Sequence, residues 1–230
     1  MADGRPFDAV IANAGVMATP FGHTVDGFET QFGTNHLGHF LLVNRIVPMI
    51  ARDGRLVVLA SAGHRFTDVD LDDPGFERSP YAPFVAYGRS KTANVLFAVE
   101  FDRRHRDVGL RATAAHPGGI RTELGRHTDP SAEAQLIRTI NERNAAAGLA
   151  TFRYKTVAQG AATSVWTATV ASADDVGGRY CEDCHVAAVV DDPEERGGVQ
   201  SYALDPERAE ALWTLSETMV GERFGDQAGA

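Results

Sequence analysis

The residues of this sequence with the clearest chemical use are Tyr87 and Lys91, in the stretch V-A-Y-G-R-S-K-T-A-N. The apolar and small residues that follow, up to Glu100, are typical of a buried helix, and a spacing of four places both side chains on one helix face. A free tyrosine titrates near ~10, and a neighbouring ammonium lowers that pKa because it favours the phenolate. A phenol with a lowered pKa can act as a general acid or base on an alcohol or a carbonyl. An ordinary surface helix can show the same spacing, so this hypothesis needs support from other residues.

The elements that must position this pair are predicted from short apolar runs. Three runs are typical of buried parallel strands, namely Phe7–Ala12, 55–61 and 110–115. A helix is expected from a cap at Thr24 or Asp26 to about Ala51, and another around Tyr87. Two further helices are expected at 156–171 and 206–220. The segment 129–149 is predicted to be a weakly apolar helical flap, and 178–181 a last short strand. The alternation of strands and helices predicts an α/β fold, a parallel sheet with helices on both faces, in a single domain over residues 1–230.

Three polar or turn-forming positions lie where predicted strands end. Asn13 follows the first strand, Ser61 ends the second and Pro117 follows the third. Because ligands of parallel sheets bind at the carboxyl ends of the strands, we expect these residues to lie near one another and near Tyr87.

Composition and charge exclude several classes of function. The 230 residues are 43% hydrophobic and carry a formal charge of −9 without a basic stripe, which argues against binding to nucleic acid or anionic membranes. No apolar run reaches the ~18 residues that span a bilayer, and the first residues lack the apolar segment of a secretory signal. We therefore expect a cytoplasmic protein without a membrane span.

The cysteines and histidines offer a second possible chemistry. The segment Cys181-Glu182-Asp183-Cys184-His185 has the spacing of covalent haem attachment. A zinc site would need further ligands, and a redox pair would normally begin a helix. We interpret the segment as two thiols between a strand and a loop, with no haem and no metal. The other clustered histidines match no metal motif and are taken as structural or solvated; they are His36, His39, His64 and His116.

Four stretches together resemble one known family. They are I-A-N-A-G-V-M, N-H-L-G-H-F-L-L, Y-G-R-S-K-T-A-N and H-P-G-G-I-R-T. In this order they resemble the short-chain dehydrogenase/reductase family, and more closely its retinol-dehydrogenase-like branch. The resemblance covers essentially the whole chain and implies a Rossmann-like, doubly wound parallel sheet. It implies an oxidoreductase that interconverts an alcohol and a carbonyl by hydride transfer with a nicotinamide cofactor.

The resemblance also implies a role for each site residue. Tyr87 would exchange a proton with the substrate, Ser61 would hydrogen-bond the substrate oxygen, and Lys91 would lower the pKa of Tyr87 and hold the nicotinamide ribose. Asn35 would hold a water that links Lys91 to solvent and would locally disturb its helix. The implied cofactor contacts are Asn13, Ala14 and Gly15 on the adenosine side, Tyr87 and Lys91 at the ribose, and Pro117, Gly118, Ile120 and Thr122 beside the nicotinamide.

One part of the family pattern is not found. The family begins with a Gly-rich phosphate loop and further strand-helix units before its Asn-Ala-Gly strand. At about 30 residues per unit, these units would comprise roughly 70–90 residues. No Gly-x-x-x-Gly-x-Gly stretch occurs in this sequence. We therefore expect an N-terminally truncated sheet, with the catalytic half present and the strand Phe7–Ala12 at an open edge. The residue that selects NAD or NADP would lie in the missing part; the resemblance favours NADP. A wrong start, a fragment and a natural truncation remain alternatives, and the rival function is a catalytically inactive binding or scaffold module.

The substrate and the assembly are predicted from apolar side chains. Aromatic residues of the long loop 62–83 and its end could line a cleft for a small lipophilic carbonyl or alcohol, or could pack the loop onto the domain; they are Phe66, Phe76, Tyr81 and Phe84. A homodimer is expected through an outer apolar stripe on two helices, formed by Phe40, Val43, Val47, Phe97 and Phe101.

Overall fold

A five-stranded sheet forms the centre of the protein. The computed structural model describes residues 4–148, 150–192, 195 and 197–225. The strands lie in the order β1 (Phe7–Ala12), β2 (Ile50–Leu59), β3 (Arg111–His116), β4 (Tyr180–Glu182) and β5 (His185–Val186). The first four are parallel, and β5 pairs antiparallel with β4. The predicted α/β class and the Rossmann-like parallel sheet are confirmed.

Helices connect the parallel strands. They are α1 (Thr30–Phe32), α2 (Gly38–Ile46), α3 (Pro83–His105), α4 (Pro130–Ala146), α5 (Val157–Thr169), α6 (Ala173–Val176) and α7 (Pro206–Val220), joined by short 3₁₀ turns. The predicted flap corresponds to α4, and its last predicted residue, Leu149, lies outside the described residues.

The second half of β2, which lies between β1 and β3, is buried on both faces of the sheet. Leu56 and Val58 belong to the large core cluster that includes side chains of α2 and α3, whereas Val57 and Leu59 pack with Ala168 of α5. Side chains alternate between the faces of a strand, so a continuous apolar run has partners on both sides. This is the doubly wound arrangement that the sequence predicts.

The helix after β1 differs from its prediction in start and end. The carboxylate of Glu29, and not Thr24 or Asp26, accepts hydrogen bonds from the backbone N–H groups of Gln31 and Phe32 and caps the helix. A π turn, Gly33–Leu37, lies between α1 and α2, so the disturbance expected at Asn35 is observed. A 3₁₀ turn containing Pro48 follows α2 at Ile46 and β2 begins at Ile50, because proline cannot continue the hydrogen-bond pattern of a helix.

The strand β1 is an edge strand. It pairs with β2, and among the described residues no second strand pairs with it. Phe7 and Ile11 are 42% and 43% exposed, so the prediction of a buried strand is wrong and the expectation of an open edge is met. The exposed side chains follow from the single neighbour, since an edge strand has less of its surface covered.

The helix α5 contacts the sheet through a face that its sequence does not suggest. Its apolar residues Val157 and Val165 are exposed. The buried residues are small or polar, namely Gly160, Thr163, Ser164, Thr167 and Ala168. A Cβ at Gly160 would lie 2.6 Å from the side chain of Ile120, so glycine permits the close approach of the helix to the loop after β3.

The proposed dimer stripe is buried within the chain. Phe40, Phe97 and Phe101 are at most 2% exposed, and the ring of Trp213 on α7 lies 5.0 Å from that of Phe40. Val43 and Val47 are buried in the same cluster. The prediction that these side chains form an outer stripe for a homodimer is therefore wrong, because α7 covers them. Within the described ranges, none of the helices combines the length and the apolar character required to cross a bilayer.

Candidate active site

The sheet register brings the predicted strand-end residues to one edge. Ala12 pairs with Val58 and Leu59 pairs with Ala115, so β1, β2 and β3 end next to one another. Asn13, Ser61 and Pro117 follow these ends directly. The helix α3 runs past the same edge and is largely buried, including Tyr87 and Lys91.

Ser61 and Tyr87 are brought together by a glycine that the sequence analysis did not single out. Ser61 caps a 3₁₀ turn, Ala62–Phe66, and its hydroxyl accepts a hydrogen bond of 3.0 Å from the N–H of Gly63. A Cβ at Gly63 would lie 2.7 Å from Tyr87 Cε1 and 3.4 Å from Ser61 Oγ. Only a residue without a side chain fits between the two, so Gly63 is part of the site.

The ionisation of Tyr87 and Lys91 is set by burial. Lys91 Nζ donates to the carbonyl of Leu59 at 3.0 Å and lies 5.7 Å from the centre of the Tyr87 ring. Burial lowers the pKa of Lys91 to about 8. Burial raises the pKa of Tyr87 to about 12, although the hydrogen bond from Ser61 acts in the opposite direction. The expectation that Lys91 lowers the pKa of Tyr87 is not met, because removing the phenol from water has the larger effect.

Asn35 links two parts of the site through its side chain. Its amide oxygen accepts from the backbone N–H of Val16 at 2.8 Å, and its amide nitrogen donates to the Val16 carbonyl and to Ser90 Oγ, both at 2.9 Å. The segment after β1 is thereby tied to α3. The backbone carbonyl of Asn35 accepts a hydrogen bond of 3.0 Å from Nδ1 of His39. Its implied role in holding a water stays a prediction.

Gly15 lies against the same group of side chains. A Cβ there would lie 3.0 Å from Asn35 Oδ1 and 3.8 Å from Lys91 Nζ, so the absence of a side chain leaves backbone accessible beside Lys91. Asn13 and Ala14 are exposed at the end of β1. These positions can accommodate a ligand that lies across the strand ends.

The loop after β3 completes the edge. Pro117 and Gly118 are half-buried, and Ile120 packs against Gly160 of α5. Thr122 is exposed, and its hydroxyl accepts from the N–H of Leu124 at 3.3 Å, where it caps a 3₁₀ turn. Pro117 and Gly118 thus lie at the strand ends, whereas the side chain of Thr122 has a local capping role.

The family assignment rests on the sequence of this region. The sequence profile described as short chain dehydrogenase matches residues 1–133, more than half of the chain. The chain belongs to the short chain dehydrogenase family. The predicted family resemblance is confirmed, and with it membership of a family of oxidoreductases.

Relatives of this dehydrogenase chain extend over most of its length. A protein of Streptomyces lividans described as a probable oxidoreductase is 43% identical over 212 residues, which are 90% of this chain and 70% of the relative. Human retinol dehydrogenase 14 is 36% identical over 217 residues, which are 93% of this chain and 59% of the relative.

Solved structures share the fold of this short chain dehydrogenase. An uncharacterised protein from Mycobacterium paratuberculosis has a TM-score of 0.67 and 32% identity, with 97% of this chain and 71% of that chain covered. An angucycline C-6 ketoreductase, crystallised with bound NADP, has a TM-score of 0.54 and 21% identity, with 77% and 61% covered.

The histidines of this dehydrogenase chain are held by hydrogen bonds of the fold. His64 is fully buried; its Nδ1 donates to the Ser61 carbonyl at 2.7 Å and its Nε2 accepts from the N–H of Gln200 at 3.2 Å. His36 Nε2 donates to Ser216 Oγ at 2.8 Å. Burial lowers the pKa of His36 to about 3 and that of His64 to about 4. Sequence reasoning missed that His64 supports the backbone of Ser61, although its spacing of three from Ser61 was a usable signal.

The cysteine segment forms a β-hairpin and not a simple strand-to-loop connection. Asp183 and Cys184 form the two-residue turn between β4 and β5, with φ of 46° and 59°. Cys181 is buried, and burial raises the pKa of its thiol to about 12, whereas Cys184 is exposed. Over the part of the chain that the structure describes, no three His, Cys, Asp or Glu side chains are grouped so that they could hold a metal ion.

The aromatic residues of the long loop divide into two pairs. Phe76 is buried beneath the guanidinium of Arg89, 4.0 Å from the ring centre, and packs against Tyr81. Phe66 and Phe84 are exposed and lie edge to face, 6.2 Å apart. The first pair packs the loop onto the domain, and the second pair remains available to a ligand.

Proposed function

We propose that this chain interconverts an alcohol and a carbonyl with a nicotinamide cofactor, and that Tyr87 is its general acid and base. The observation that carries the proposal is the group of half-buried Ser61 with the buried side chains of Tyr87 and Lys91 at the carboxyl edge of a parallel sheet. A phenol, a hydroxyl and an ammonium at such an edge are suited to proton exchange with a substrate oxygen.

The residues present fit the nicotinamide half of such a cofactor. Within the described residues, one acceptor, the carbonyl of Leu59, lies within hydrogen-bonding distance of Lys91 Nζ, so two of its three N–H donors can serve a ribose. Gly15 provides a place beside Lys91 that a Cβ would fill. Pro117, Gly118 and Ile120 border the same edge and would flank the ring.

The chemistry follows from these side chains. When bound, the nicotinamide supplies or accepts the hydride. Ser61 donates a hydrogen bond to the substrate oxygen and stabilises its developing charge. Tyr87 passes its proton to that oxygen during reduction and removes one during oxidation. A pKa of about 12 keeps the phenol protonated at neutral pH, so the arrangement without ligand holds Tyr87 in its general-acid form.

The identity of the cofactor and of the substrate is proposed from related proteins and exposed side chains. We favour NADP over NAD, because the ketoreductase that shares this fold was crystallised with NADP. The exposed pair Phe66 and Phe84 supports a small lipophilic carbonyl or alcohol, as does the similarity to human retinol dehydrogenase 14. Aromatic ketones should therefore be reduced faster than sugars of the same concentration.

Replacement of Tyr87 by Phe tests the mechanism. The Y87F variant should lose about 10²- to 10⁴-fold in turnover, the usual contribution of a general acid, because the ring is kept and the hydroxyl that carries the proton is lost. Reduction of an aromatic ketone at millimolar NADPH is the measurement. Tyr81→Phe is the matched control, since the Tyr81 hydroxyl hydrogen-bonds the carbonyl of Thr19 at 3.0 Å in the loop packing.

Two outcomes would contradict the proposal. Near-normal turnover in Y87F would remove Tyr87 from the mechanism. No turnover in the unmodified chain at millimolar cofactor would favour the rival function, a catalytically inactive binding or scaffold module.

A further inference from the structure

The loop after β3 is held by one residue at two points. The backbone N–H of Lys155 donates to the carbonyl of Gly119 at 2.9 Å, and Lys155 Nζ donates to the carbonyl of Pro117 at 3.2 Å. Both acceptors belong to the loop that borders the nicotinamide in the proposed function. Lys155 itself immediately precedes α5, whose first turn is fixed by a capping box of Thr156 and Gln159.

The Lys155 side chain lies directly against Gly118. A Cβ at Gly118 would lie 2.7 Å from both Cε and Nζ of Lys155, and Gly118 has a φ of 90° that favours glycine. The end of the Lys155 side chain therefore packs against the backbone of the loop. The loop can adopt this conformation because residue 118 has no side chain.

Asp183 fixes the charged end of this lysine. Its carboxylate forms an ion pair with Lys155 Nζ, and the ammonium lowers the pKa of Asp183. Asp183 lies in the turn between β4 and β5, which is docked on α5 because the N–H of Cys184 donates to Thr163 Oγ1 at 3.3 Å. Positive φ at both residues of this turn is the usual geometry of a two-residue hairpin, so the pairing of β4 with β5 fixes where the Asp183 carboxylate lies.

We propose that Lys155, held by Asp183, is a positioning residue that fixes the loop 117–120 for the nicotinamide end of the cofactor. The inference rests on the proposed function. It gives the Cys-x-x-Cys segment a use that involves neither thiol, because the turn carries the carboxylate that pairs with Lys155. Lys155 acts on the ligand through the Pro117 and Gly119 carbonyls, so its effect is confined to the nicotinamide side.

Reduced nicotinamide mononucleotide is the probe, because it contains the nicotinamide end alone. The 230-residue chain and its variants are titrated with it by NMR at millimolar concentration, with the amides of Gly118, Gly119 and Ile120 as reporters. K155M should weaken binding about three- to tenfold, the size of one net hydrogen bond, and K155R should restore it because it keeps both donor and charge. R45M is the control, since it removes the exposed ion pair with Glu222 at 2.7 Å.

A double-mutant cycle separates positioning from a merely structural effect. D183N alone should weaken binding, but it should add nothing in a K155M background, because Asp183 acts through Lys155. A structural role alone would lower the thermal midpoint of all these variants and leave the affinity of the folded fraction unchanged.

The outcomes distinguish this inference from the proposed function. If the unmodified chain binds the probe and K155M binds it equally well, the positioning role is wrong and the proposed function stands. If the unmodified chain does not bind the probe, the proposed function fails. The positioning role then fails as well, unless amide exchange at residues 118–120 is faster in K155M than in the unmodified chain.

Discussion

Burial, and not the nearest charge, sets the ionisation of the buried rings around the site. His36 and His64 have their pKa lowered to about 3 and about 4, and Tyr87 has its pKa raised to about 12, with desolvation as the first cause in each case. Each shift favours the neutral form, as expected when a charged group would lose its water. These rings are therefore neutral at pH 7, whereas Lys91, with a pKa lowered to about 8, lies close to its titration range.

This neutrality predicts a loss of stability in acid. Below pH 6.5 the unfolded chain protonates His36, whereas the folded chain does so only near pH 3, so the free energy of unfolding falls as the pH decreases between these values. The slope is about 1.4 kcal/mol per pH unit for this ring. Urea unfolding at pH 7, 6 and 5 is the measurement, and H36Q should reduce the slope by about that amount.

The exposed residue His127 provides the control for this prediction. H127Q makes the same substitution at an exposed ring and is measured beside H36Q. An identical slope in H36Q and the unmodified chain would contradict the assignment of His36 as a buried neutral ring.

The proximity of Tyr87 and Lys91 could be predicted from the sequence, but their ionisation could not. A spacing of four on a helix is a local property, and the structure places both side chains on the buried face of α3. The pKa of Tyr87 depends on how much water the folded chain excludes, which is decided by Gly63 and by β2. The pair was found, and the direction of the Tyr87 shift was predicted wrongly.

At the scale of elements, the contact between the 3₁₀ turn Ala62–Phe66 and α3 is sensitive to substitution. A methyl group at Gly63 would lie 2.7–2.9 Å from the Tyr87 ring. Gly63→Ala should therefore move the turn from α3, at a cost of about 1–3 kcal/mol in stability, as for other overpacked cores. Turnover should fall as well, because Ser61 lies in the displaced turn.

Urea unfolding and ketone reduction measure both effects of Gly63→Ala. The matched control is Gly125→Ala in the 3₁₀ turn Glu123–His127, where a Cβ would have no neighbour within 4 Å. Equal stability in the two variants would show that the turn and α3 are not in close contact.

The existence of the elements was predicted better than their surfaces. Apolar runs gave β1, β2 and β3, since a continuous apolar segment is a local signal. The cap at Glu29 was missed because glutamate is not among the usual capping residues. The face by which α5 contacts the sheet could not be predicted, because this contact depends on small residues such as Gly160, which contribute little to an apolar pattern.

At the scale of the whole molecule, the proposed site would hold one half of a dinucleotide. In the proposed function, Lys91, Gly15 and the loop after β3 border the nicotinamide, whereas no Gly-x-x-x-Gly-x-Gly stretch occurs in the sequence. A dinucleotide pyrophosphate normally binds the backbone N–H groups of such a turn and of a helix N-terminus. We therefore expect NADPH to bind this chain no more tightly than reduced nicotinamide mononucleotide does.

Isothermal titration of the same chain with both ligands measures this difference. A micromolar Kd for NADPH beside a millimolar one for the mononucleotide would show that the chain holds the adenosine half by other groups.

The packing of elements that are distant in sequence was the least predictable feature. The side chains assigned to a dimer interface are apolar because they belong to the core, and no local pattern indicates that α7 covers them. Contacts such as that of His36 with Ser216 join positions far apart in the chain, which patterns of spacing cannot detect.

The π turn Gly33–Leu37 gives this stretch a tolerance of changes in length that a regular helix lacks. A π turn has i→i+5 hydrogen bonds in place of the i→i+4 bonds of an α-helix, so it contains about one residue more per turn. The loss of one residue here is therefore compensated by a return to α-helical turns, and α2 keeps Phe40 and Val43 in the core. A deletion within α2 has no such compensation, because each residue of an α-helix turns the chain by about 100°. A single-codon deletion in the π turn that spares Asn35 should therefore be less damaging than one within α2.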